Sequence, residues 1–220
     1  MNELELDRRF SLNELLDLGS SGEVIRALAE IVRTNLRVFD GQGQEVFFAG
    51  EVINLCELIK ATEAGDRLCQ GVREKLLAQQ LTESSAVQIQ SACGLKYTVF
   101  PIRYQFESLG RVVLGPYQDQ GIDNAKLEQL ATKFRIDPQK FIQNYHQLPE
   151  FSPEYLKKLA RFISKFFDAF VFINAKRLVT TVMHLEQIMQ SRDRIFKEME
   201  KEAKGTPEDK KEIEKLKNMF

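Results

Sequence analysis

Apolar residues along this chain fall into two regimes. Up to about Tyr117 they gather in short runs, and beyond it they recur at helical spacing. Strand-like runs on either side of the break Gln105 to Ser108 predict a β-hairpin, with Cys93-Gly94 at its start and Gly115-Pro116-Tyr117 at its end. A second hairpin is predicted from Leu36-Arg-Val-Phe-Asp40, Gly41-Gln-Gly43 and Glu45-Val-Phe-Phe-Ala49, because Asp-Gly between apolar runs favours a tight turn. Ala86 to Gln90 reads as a further strand. Ser11 and Glu14 fit a capping box, which predicts a short helix from about Leu12. Gly19-Ser20-Ser21-Gly22 should break it, and Glu23 to Thr34 should form the next helix, with Val24, Ala27, Leu28 and Ile31 on one face. Val52 to Lys60 and Ala64 to Gln80 also read as helices, broken near Gly65.

The second half reads as helical throughout. Asp123 can cap a helix over Ala125 to Lys133, and Asp137-Pro138 and Ser152-Pro153 open two more with proline at the first helical position. From Tyr155 neither Pro nor Gly occurs before Gly205, so a single helix of about 50 residues is expected. Its part from Phe162 to Ile173 is apolar on most sides and is expected to be buried. Val171, Ala175, Leu178, Val182, Leu185, Met189, Phe196 and Met199 follow alternating steps of four and three, interrupted by Arg192. That is a heptad seam, the pattern of a coiled coil. Leu178, Val182, Leu185, Met189, Phe196 and Met199 are therefore expected to pair the chain with a second copy. Thr206-Pro207-Glu208-Asp209 predicts a last capped helix. The expected division is a domain over 1–150, a long dimerisation helix over 151–204 and a short helix over 205–220.

Composition narrows the function classes. With 31 basic and 32 acidic residues the chain lacks the clustered positive charge of a nucleic-acid footprint. No apolar run reaches the roughly 18 residues of a membrane span. The N-terminus is acidic and has no apolar stretch of the secretory type, so a cytoplasmic protein is expected. Three cysteines are then reduced thiols, and an odd count argues against a disulfide framework. No Ser/His/Asp set, paired carboxylates or phosphate-binding glycine loop can be picked out, and the expected class is non-enzymatic. His184 is expected to face solvent, and His146 to end its helix.

From about Phe10 to Phe170 the chain resembles the PocR sensory domain, a ligand-binding module of bacterial signalling proteins. The resemblance rests on elements in the family's order: Val38-Phe39-Asp40 with its glycines, Cys56-Glu-Leu-Ile-Lys60, Cys69, Cys93-Gly94-Leu95, Phe100-Pro101-Ile102, Leu109-Gly110, Leu114-Gly115, Leu148-Pro149 and the helix after Ser152. Two positions depart from the family pattern: Ser91 stands roughly where a cysteine is usual, and Pro116-Tyr117-Gln118 follows Gly115. The resemblance implies an α+β fold, a PAS- or GAF-like antiparallel sheet with surrounding helices and a small-molecule pocket. It also implies a small organic ligand and an output passed through helices.

Candidate site residues follow from residue chemistry. Small-molecule pockets are mostly apolar with a few placed polar groups. Tyr97, Tyr104 and Tyr117 supply rings and hydroxyls on the hairpin, and Cys56, Cys69 and Cys93 could line the same space. The cysteines could equally be buried structural thiols. Holding a metal or an iron–sulfur centre would take a fourth ligand, and no Cys-x-x-Cys occurs. Phe100 and Ile102 are expected in the core. The expectation is a homodimeric sensor of a small molecule, relaying to a signalling partner through the C-terminal helix. Two other readings stay open: a scaffold or adaptor with a vestigial pocket, and a cysteine-based redox or metal sensor.

Overall fold

The computed structural model describes residues 10–79, 81, 86–105 and 107–202. The helix expected after Thr206 lies outside the described residues. After Asn174 the chain divides into two compact units.

The first unit opens with α1 (Leu12–Leu15), whose capping box forms: Ser11 Oγ accepts from the Glu14 amide, and Glu14 reaches back to the Ser11 amide. Helix α2 (Leu18–Val32) begins five residues earlier than expected. Gly19 to Gly22 do not break the chain there. Asp17 caps the helix by accepting from the Gly19 amide, and the Ser21 hydroxyl donates to the Asp17 carbonyl. The smallness of Gly22 lets the helix lie against the Phe47 ring. The buried face also differs from the expected one. Ser21, Ile25, Leu28, Ala29 and Val32 are inside, whereas Val24 and Ile31 are exposed.

Both expected hairpins form. Strands β1 (Leu36–Asp40) and β2 (Glu45–Ala49) turn at Asp40, whose carboxylate accepts from the Gln42 and Gln44 amides. After α3 (Asn54–Lys60) and α4 (Glu63–Ala78) come β3 (Val87–Gln90), β4 (Lys96–Tyr104) and β5 (Glu107–Tyr117). The five strands form one antiparallel sheet in the order β2-β1-β5-β4-β3. β5 is central and buried on both faces from Val112 to Tyr117, as expected where both sides of a sheet are covered. Phe100 and Ile102 lie in the core. The chain is thus an α+β protein, a five-stranded antiparallel sheet with surrounding helices and a long C-terminal helix.

Gly65 does not break α4. It sits in the first turn, where Thr62 caps the helix, and lies directly on the Ile59 carbonyl at the end of α3. Beyond the sheet, α5 (Asn124–Phe134) and α6 (Pro138–His146) are capped by Asp123 and Asp137, and His146 ends α6 as expected. These helices bury Leu127, Ala131, Phe134, Phe141 and Tyr145 in one cluster with Leu55 and Ile59 of α3 and with Cys93 and Leu95.

The long helix is continuous: α7 runs over Pro153–Glu202. Within the first unit it buries one stripe, Leu156, Leu159, Ile163, Phe167 and Val171. The segment from Phe162 to Ile173 is not buried all round. Phe162, Phe172 and Ile173 are exposed by 54%, 63% and 61%. A helix can bury only the side that meets its domain, however apolar the rest. The Asn174 amide donates to the Leu15 carbonyl and ties this part of α7 to α1. In the second unit, the α7 residues on the heptad seam are partly or largely exposed from Leu178 to Met199, and His184 faces solvent.

Candidate functional site

One face of the sheet and the two helices α3 and α4 line a half-open cavity of about 480 Å³. Alternation along the strands selects its floor: Phe39 from β1, Tyr97 from β4 and Val113 from β5 point the same way. Cys56 and Ile59 come from α3, Cys69 and Val72 from α4, and Cys93 and Leu95 from the turn into β4. Arg37, Glu45, Phe48, Lys60 and Arg73 also line it. Here Arg37 pairs with Glu45 at 2.9 Å and lies over the Phe48 ring, and Lys60 pairs with Glu57 at 3.3 Å.

Local geometry explains the placements. Gly115 has φ +134°, and a Cβ there would meet the Lys96 carbonyl and the Tyr97 ring at 2.9 Å. Only glycine lets the tyrosine lie beside β5 in this way. Ser91 organises the turn that carries Cys93: its hydroxyl donates to the Leu95 carbonyl, accepts from the Leu95 amide and touches Cys93 Sγ at 3.0 Å.

Charged residues of the lining, Lys60 and Arg37 at Cys56 and Lys60, Asp66 and Glu57 at Cys69, act on the thiols, but burial outweighs them. Burial pushes Cys56 up to about 12, and the neighbouring Cys93 and Cys69 add to the effect. Burial also raises Cys69, with Cys93 beside it, and raises Cys93 despite the Ser91 hydrogen bond. Tyr97 is pushed well above its usual range by burial and then by the three thiols. At neutral pH these groups are therefore three thiols and a phenol, not thiolates. The Tyr97 hydroxyl has no hydrogen-bond partner among the described residues. No group of three or more His, Cys, Asp or Glu among the described residues is placed to hold a metal ion.

Four of the six candidate residues, Cys56, Cys69, Cys93 and Tyr97, line this one cavity. The other two are elsewhere. Tyr104 packs edge-on against Phe10 near the hairpin turn. Tyr117 is buried, shares a 2.7 Å hydrogen bond with Thr98 and packs on Phe151. The charged lining was not singled out in the sequence. Arg37 stands two residues before Phe39 on the same strand face, so period-two alternation was the available signal. A second cavity of about 560 Å³, lined in part by the end of α2 and by Asn144, Gln147, Leu148 and Pro149, shares Asn35, Glu51, Val52 and Ile53 with the first.

A family model described as the sensory domain found in PocR matches residues 14–175, about three quarters of the chain. The chain therefore belongs to the PocR sensory-domain family, whose description carries a signal-sensing role. No curated protein matches the sequence. No described helix is long and apolar enough to cross a membrane.

Proposed function

We propose that this protein is a non-enzymatic, cytoplasmic sensor that takes a small organic ligand into the cavity between the sheet and α3 and α4. The observation that carries the reading is the convergence of Cys56, Cys69, Cys93 and Tyr97 on one half-open space, with the Tyr97 hydroxyl left unpartnered among the described residues. A thiol-lined, largely apolar floor with one free hydroxyl, and with Arg37, Glu45, Lys60 and Arg73 around it, suits a small organic molecule offering a hydrogen-bond acceptor or donor. The raised thiols weigh against a redox or metal sensor, which needs accessible thiolate.

The ligand acts by binding one arrangement of α3 and α4 better than another. Output passes through α7 to a signalling partner, with two copies joined along Leu178, Val182, Leu185, Met189, Phe196 and Met199.

Native mass spectrometry of the untreated full chain tests both halves. The expected species is a dimer carrying a small adduct, which disappears in Cys69→Phe because the ring fills the cavity. An adduct retained by a folded Cys69→Phe refutes the cavity as the site. A bare dimer whose melting no small organic compound shifts favours an adaptor instead. A monomer refutes the relay.

A further inference from the structure

Arg192 breaks the apolar pattern of α7 toward its C-terminal end. Its neighbours one turn away on either side, Ile188, Met189, Ile195 and Phe196, are all apolar. On the seam it takes the position between Met189 and Phe196 where an apolar residue would continue the alternation. Leu185 and Met189 are about half exposed, as are Ile188 and Ile195 beside them. The cation is held by the next residue: Nη2 and Nε of Arg192 both donate to Asp193 Oδ1, at 2.9 and 3.2 Å.

We propose that Arg192 and Asp193 make this stretch a parallel, in-register contact with a second copy of the same chain, and that Arg192 sets the register. The inference rests on the dimeric reading above and specifies its geometry. With steps of four and three, Val182, Met189 and Phe196 take heptad position a, and Leu178, Leu185, Arg192 and Met199 take position d. Asp193 is then at e.

In a parallel, in-register pair, a side chain at d packs against the partner's d and e residues. Both Arg192 guanidiniums therefore meet both Asp193 carboxylates in one electrically neutral layer. Each aspartate can exchange its bond to its own chain for one across the interface. The alternatives lack this match. A slip of one heptad sets Arg192 against Leu185 or Met199 of the other chain, and a charge against an apolar layer is costly. In an antiparallel pair a d residue faces an a residue of the other chain, so Arg192 meets Met189 or Phe196 and the two arginines sit in different layers, about 5 Å apart along the axis. The parallel, in-register pair alone puts both cations and both anions in a single layer. A single polar residue in a seam is a known way to select register and strand number at some cost in stability.

Sedimentation velocity and oxidative cross-linking of the full chain test the proposal. Met189→Cys is expected to link to itself under mild oxidation, and so is Val182→Cys. A mixture of the two is expected to give self-linked pairs and almost no cross-linked ones. Introducing Arg192→Leu into both should tighten association at least about fivefold and release the mixed disulfide or larger assemblies. The unvaried protein, with its three thiols raised by burial, is the blank.

A dimer whose Met189→Cys does not self-link overturns the parallel geometry and leaves the dimeric reading standing. A trimer or tetramer by sedimentation overturns the two-chain contact together with the dimeric reading. If Arg192→Leu leaves the disulfide pattern unchanged, the role of Arg192 is overturned. A monomer removes the dimeric reading itself.

Discussion

Gly65 and Gly71 stand on the same helix, and replacing each by alanine should move stability in opposite directions. A Cβ on Gly65 would lie 2.0 Å from the Ile59 carbonyl oxygen, 2.7 Å from its carbon and 2.8 Å from Ile59 Cγ2. Carbon and oxygen in ordinary contact stand about 3.4 Å apart, so α3 and α4 must separate by more than an ångström. The obstacle is backbone at the end of a helix and cannot rotate away, and Ile59 is buried. Alanine gains about 1 kcal/mol of helix propensity over glycine. Overpacking costs about 1–3 kcal/mol, and the rigid obstacle puts this site at the upper end. The expected net loss is about 2 kcal/mol, or a melting midpoint lower by about 4–8 °C in a protein of this size. At Gly71 nothing lies within 4 Å of the added carbon. There the propensity gain stands alone, and the midpoint should rise by about 2–4 °C. Thermal melts by circular dichroism of the two variants decide it. Equal stabilisation of both would show that the α3–α4 corner is loose and that the reasoning is wrong. The corner matters because α3 and α4 carry Cys56 and Cys69.

Two further outcomes follow from groups already described. Thr98→Val should cost about 1–3 kcal/mol by urea denaturation, since it strands the buried Tyr117 hydroxyl; adding Tyr117→Phe should recover most of the loss, and a simple sum of the two single losses would contradict this. Cys56 is held neutral in the folded chain up to about 12 but ionises near 9.0 once unfolded, so its contribution is complete below pH 9 and shrinks as pH rises from there toward 12. The urea midpoint of the natural protein should therefore fall more steeply between pH 8.5 and about 10.5 than that of Cys56→Ala, and parallel profiles would contradict the burial of this thiol.

Much of the candidate site was visible in the chain as single residues but not as a place. Cys56, Cys69, Cys93 and Tyr97 stood out by residue type, and the structure brings all four to one cavity. Tyr104 and Tyr117 were equally plausible by type. Alternation along β4, together with the register shift between β4 and β5 at Lys96 to Thr98, sends them elsewhere. Arg37 and Glu45 are far less conspicuous as sequence, yet the pairing of β1 with β2 makes them a salt bridge at the cavity.

The sequence alone determined the kind and order of nearly every element. Caps at Ser11, Asp123, Asp137 and Ser152, the Asp40 turn and the absence of Pro and Gly after Tyr155 act within a few residues, and such local signals survive in any context. Tertiary structure decided which faces are buried. On α2 two apolar stripes compete, and the one bearing Ser21, Ile25, Leu28, Ala29 and Val32 is inside while Val24 and Ile31 stay outside. On α7 the aromatic run offers more apolar surface than one domain can cover, so Ile163, Phe167 and Val171 are inside and Phe162 and Phe172 are not. At Gly65 a residue that ordinarily ends a helix instead permits two helices to touch. In each case the deciding quantity is the space left by residues distant in sequence, which no periodicity within one segment contains.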